Sequence, residues 1–83
     1  MKADTYILVR ILQKKDNTID EIKVIDIDNN QENLEKKISA VHEDVMNDKW
    51  QNYLILNFGK EEIKLMNKEF GSTITYSILK KQD

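Results

Sequence analysis

Cysteine and proline are absent from the 83 residues, glycine occurs twice, and histidine and arginine occur once each. Without cysteine there is neither a disulfide nor a thiolate metal site, so packing alone must hold a small core together. Gly59 and Gly71 stand isolated, which excludes the glycine-rich loops that cradle phosphate in most nucleotide enzymes. No stretch approaches the roughly 18 consecutive apolar residues of a membrane span, and the N-terminus opens on a strand-like run rather than a charged segment with an apolar signal core. A cytoplasmic location is expected. The net charge of −2 is too small to announce a nucleic-acid binder by steering and falls short of the acidity of a DNA mimic. No Pro, Gly or Ser-rich linker and no solenoid-length repeat divides the chain, so residues 1–83 are expected to form one domain.

What is present is a sequence with 40% hydrophobic and 34% charged residues, enough for a modest core beneath a solvated surface. Tyr6–Leu12 (YILVRIL) is almost continuously apolar and β-branched, and the polar cluster Lys14 to Thr18 after it reads as a hairpin turn. The return segment Ile19–Ile27 carries Ile22 and Val24, then changes phase to Ile25 and Ile27, which a β-bulge near Val24 or Ile25 reconciles. Asp28, Asn29 and Asn30 can cap a helix, with Asn29 and Glu32 at capping-box spacing. Leu34, Ile38, Val41 and Val45 then fall on one helical stripe that fades around Asn47 or Asp48.

After Trp50, Tyr53–Phe58 (YLILNF) reads as a strand apolar on both faces. Lys60–Phe70 fits a helix with Ile63, Met66 and Phe70 on one side and Gly71 as its C-terminal cap. It also fits a strand alternating through Ile63 and Leu65 after a short turn at Gly59-Lys60; the helix is the expectation. The last segment alternates Ile74, Tyr76 and Ile78 with Thr73, Thr75 and Ser77, the pattern of a strand buried on one side. The expected fold is α+β, in the order β-β-α-β-α-β, with one long helix packed on a mainly antiparallel sheet.

No set of residues assembles a chemical site. Asp26-x-Asp28-x-Asn30 resembles the start of a calcium loop, but the glycine and glutamate that such a loop needs are replaced by Gln31 and Lys37. His42 has no cysteine or serine motif to work with, and Glu43-Asp44 and Glu61-Glu62 are adjacent pairs that diverge by about 100° on a helix. No catalytic residue, metal or cofactor is therefore expected. Lys14, Lys15, Lys80 and Lys81 could meet phosphates while Tyr6, Tyr53 or Tyr76 stack on bases, but without a basic stripe they read as lysines at strand ends.

Elimination leaves a non-catalytic protein-interaction module as the expected function, in the manner of a small inhibitor or regulator that binds a host protein. Arg10 is the only arginine among 13 basic residues, and Ile, Lys and Asn are heavily used. That bias suggests an AT-rich source such as a low-GC bacterium, its phages or another mobile element. A nucleic-acid-binding module is the alternative. The first and third strands are apolar on both sides, so one side must be covered by something other than the long helix. Tyr6, Leu8 and Leu12 are assigned to that other side, and Tyr6, Leu8, Arg10, Trp50 and Tyr53 are the expected partner-binding residues, the partner being another protein or a second copy in a homodimer.

Overall fold

A computed structural model describes residues 4–81. The chain runs β1 (Thr5–Gln13), β2 (Ile19–Asp28), α1 (Gln31–Met46), β3 (Tyr53–Phe58), β4 (Glu62–Asn67) and β5 (Thr73–Lys81). The five strands form one sheet in the order β2-β1-β5-β4-β3, and every neighbouring pair is antiparallel. The helix joins the two edge strands, β2 and β3, across a single face of the sheet. The remaining strands then return as a meander that pairs β5 with β1.

Lys60–Phe70 is the point of departure from the expected order: its ordered element is strand β4, so the fold is β-β-α-β-β-β. Ile63 and Leu65 are both fully buried, and that spacing of two residues is possible only on a strand. Gly71 does take the left-handed conformation expected of it, at φ 76°, but it closes a turn between strands. Asn67 organises that turn, its side-chain Oδ1 accepting from the Glu69 and Phe70 amides while its carbonyl accepts from Gly71 at 2.8 Å.

Other local signals act as their chemistry requires. Asn17, with φ 70°, closes the β1–β2 hairpin, and the Asp16 carboxylate accepts from the Thr18 amide at 3.0 Å. The register shift opposite Leu8 and Val9, whose partners are Asp26 and Val24, places the bulge at Ile25. Asn30 is the helix cap, its Oδ1 accepting from the Glu32 amide at 3.0 Å; the cap thus sits one residue beyond Asn29. The helix ends at Met46, with the Asn47 amide donating to the Glu43 carbonyl at 2.9 Å.

The core lies between α1 and the sheet. Leu34 and Ile38 pack on Leu8, Ile63, Leu65 and Ile78, with Tyr6, Val41, Val45, Trp50, Tyr53, Ile55 and Tyr76 around them. Strand β5 has one unambiguous apolar side, and that side sets the phase of its neighbours. Leu8 pairs with Ile78 and Arg10 with Tyr76, while Ile63 also pairs with Tyr76. The even-numbered side of β1 therefore faces the helix, the reverse of the assignment made from the sequence. The resulting two-layer slab measures 48 × 28 × 16 Å with a radius of gyration of 13.5 Å. That exceeds the roughly 12 Å of a close-packed globule of this length, because among the described residues no second layer covers one face of the sheet.

Candidate functional site

Residues paired across an antiparallel ladder project to the same side, so the register reads out the uncovered face row by row. An end row of Thr5 and Lys81 is followed by Ile27, Ile7 and Leu79, then by Val24, Val9, Ser77 and Glu62, then by Ile22, Ile11, Thr75, Lys64 and Asn57, and last by Ile19, Gln13, Thr73, Met66 and Leu54. Across the sheet the chemistry changes in steps. Strands β2 and β1 present branched aliphatics, β5 presents mainly hydroxyls, and β4 brings Glu62 and Lys64. Ile22, Ile27, Ile19, Val24 and Leu79 are each between 52% and 59% exposed. Val9, central in the patch, is buried by its neighbours at 6%.

Strand β2 concentrates this asymmetry, because its polar residues point toward the helix layer and its apolar residues point away. On the helix side Asp26 forms an ion pair with Lys37 of α1 at 3.0 Å. Asp28 accepts from the Asn33 side chain at 3.1 Å, and Glu21 accepts from Arg10 at 3.2 Å. The Lys37 ammonium, followed by the Ile27 amide at 2.8 Å, holds the Asp26 carboxyl below the usual carboxylate range. On the other side stand Ile19, Ile22, Val24 and Ile27. A strand that served only the described core would carry the opposite pattern.

The partner-binding residues expected from the sequence share the covered face. Leu8 is 2% exposed and belongs to the core, while Tyr6 packs beside it. Trp50 meets Tyr53 edge-on, with ring centroids 5.4 Å apart, and Tyr76 at 6.4 Å; these three rings close one end of the core. Arg10 lies opposite Tyr76 in the ladder, and its hydrogen bond to Glu21 keeps the guanidinium pKa raised. The structure thus brings Trp50 and Tyr53 together, leaves Leu8 inaccessible from outside, and places none of the five on the uncovered side. The uncovered side carries instead Ile7, Ile11, Ile19, Ile22, Val24, Ile27 and Leu79. Their signal was the run of β-branched residues at the odd positions of β1, together with the phase change in β2.

Among the described residues no three His, Asp or Glu side chains gather into a metal-binding group. His42 stacks on Phe58, with ring centroids 4.0 Å apart and planes 15° off parallel. The lysines considered for phosphate contact are dispersed: Lys80 pairs with Asp4 at 3.3 Å, and Lys15, at the other end of the sheet, lies along Gly71 of the neighbouring turn. The helix is not long and apolar enough to cross a membrane. The chain matches no protein-family model, and comparison with curated proteins and with solved structures yields no significant match.

Proposed function

We propose that this chain is a non-catalytic protein-interaction module whose contact surface is the open face of β2, β1 and β5. The observation that carries this reading is the orientation of β2, whose Ile19, Ile22, Val24 and Ile27 project away from α1, the only helix among the described residues. Several half-exposed aliphatics side by side form the kind of contiguous patch that marks a binding surface, in contrast to apolar residues scattered singly. Such a surface acts by occupancy, which suits a small inhibitor or regulator that covers part of another protein.

The test is capture from a low-GC bacterial lysate by the chain immobilised at low density, compared with an Ile22→Lys/Val24→Lys double variant. The expected result is protein retained by the parent at high salt and lost by the variant, because burial of apolar surface is insensitive to ionic strength. Captured nucleic acid that is released as salt rises and is held equally by the variant would contradict this reading and favour binding through the lysines.

A further inference from the structure

The open face is aliphatic where it is most exposed, and this chemistry limits what can sit on it. A charged partner finds no complementary charge in the rows formed by β2 and β1; the ionic groups of this face are Glu62 and Lys64, two strands further on at β4, and Lys81 at the very end of β5. An apolar surface without charge is complementary to itself, and a two-fold axis through it brings no like charges together. The net charge of −2 per chain adds little repulsion between two copies.

Size points the same way. Three strands about 4.8 Å apart and some 30 Å long present roughly 400 to 500 Å² in projection. Side-chain relief takes two such facing surfaces to the order of 1,200 Å² in total, the lower bound of specific interfaces. The charged residues are placed as a rim would be, with Glu62 and Lys64 of β4 and Lys81 at the end of β5 outside the apolar rows, while Thr73 and Thr75 of β5 lie buried between.

Edge-to-edge pairing is a different way to join two sheets, and β2 is poorly built for it. The bulge at Ile25 interrupts the regular spacing of its outer hydrogen-bonding groups, and Glu21, Lys23, Asp26 and Asp28 place charges along one side of the edge. Face packing requires nothing of the strand edge.

We infer that the occupant of the open face is a second copy of this chain, packed sheet on sheet about a two-fold axis, with Ile7, Ile11, Ile22, Val24, Ile27 and Leu79 at the centre. The inference rests on the reading of that face as a contact surface and names its partner. The product is a four-layer particle, helix-sheet-sheet-helix, whose two sheets lie about 10 Å apart as in aligned sandwiches. An interface at the lower bound of specific interfaces belongs with the weak, reversible class.

Sedimentation equilibrium across micromolar to millimolar concentrations tests it. The parent chain is expected to pass from 9.8 kDa to twice that mass, and Ile22→Lys/Val24→Lys is expected to raise the dissociation constant at least about a hundredfold, since a lysine buried at the centre leaves an unpaired charge. Ile22→Thr retains a β-favouring residue, and should weaken the dimer about tenfold if the lysine variant does not fold. A parent that stays monomeric throughout overturns the inference. So does a dimer that survives the substitutions, or one that protects the outward amides of β2 from hydrogen exchange, which is the signature of edge pairing. A monomeric chain that still captures other proteins through this face overturns the second copy alone, whereas a dimer that captures nothing else overturns only the regulatory reading.

Discussion

Both faces of this sheet carry a group of large aliphatic residues, and the two groups have opposite fates. On one face Leu8, Ile63, Leu65 and Ile78 lie beneath Leu34 and Ile38 of α1, all of them nearly or fully buried. On the other, Ile19, Ile22, Val24, Ile27 and Leu79 remain about half exposed. Hydrophobicity alone therefore does not place a residue in the core of this fold; the side of the sheet on which the crossover helix lands does. The exposed set is also β-branched at four of its five positions, a composition that restricts side-chain rotamers and favours the strand conformation.

Substitution of one residue on each face breaks the comparison most sharply. Leu8→Glu buries a carboxylate in the core and is expected to cost several kcal/mol, enough to unfold a domain of this size. Ile22→Glu in dilute solution is expected to change stability by no more than about 1 kcal/mol, because its side chain already meets water. Urea denaturation at low protein concentration checks both, and equal losses would mean that the open face is covered within the monomer. On the helix side, Asn30→Ala removes the bond to the Glu32 amide and should lower stability by about 1 kcal/mol. The dimer dissociation constant should not move, because α1 lies on the far side of the sheet.

The smallest expected effect separates the polar helix-side face of β2 from its apolar face. The Asp26 carboxyl has a lowered pKa in the folded chain, first from Lys37 and then from the Ile27 amide. Its contribution is present above the unfolded value of about 4 and is lost as pH falls through the lower folded value. Asp26→Asn should therefore flatten the acid side of a stability profile below about pH 4 and leave self-association at neutral pH unchanged. A change in association instead would place Asp26 at the interface.

Most of the fold could be read from local chemistry. The stripe from Leu34 to Val45, the bulge implied by Ile22, Val24, Ile25 and Ile27, and the alternation from Thr73 to Ile78 each have one physical solution, and the structure adopts it. Lys60–Phe70 had two, because a left-handed glycine caps a helix and closes a turn equally well, and a segment this short satisfies both periods. Pairing with Ile74 and Tyr76 on one side and with Ile55 and Phe58 on the other decides for the strand. The candidate site was less legible for a related reason. Strand β1 is apolar on both sides, so its phase depends on β5, more than sixty residues away in the chain. Choosing the even side sent attention to Tyr6, Leu8 and Arg10, and the aromatic residues Trp50 and Tyr53 drew it to the same covered face.

The central claim is that the aliphatic side of β2 and β1 points away from the core and is covered only by another chain. Methyl relaxation by a soluble paramagnetic agent, recorded for every isoleucine at two protein concentrations, tests it directly. In dilute protein the methyls of Ile19, Ile22 and Ile27 should relax strongly while those of Ile38 and Ile63 stay protected, and at high concentration Ile22 and Ile27 should become protected too. Protection of Ile22 and Ile27 equal to that of Ile38 in the dilute sample, or full access to them at every concentration, would contradict the account.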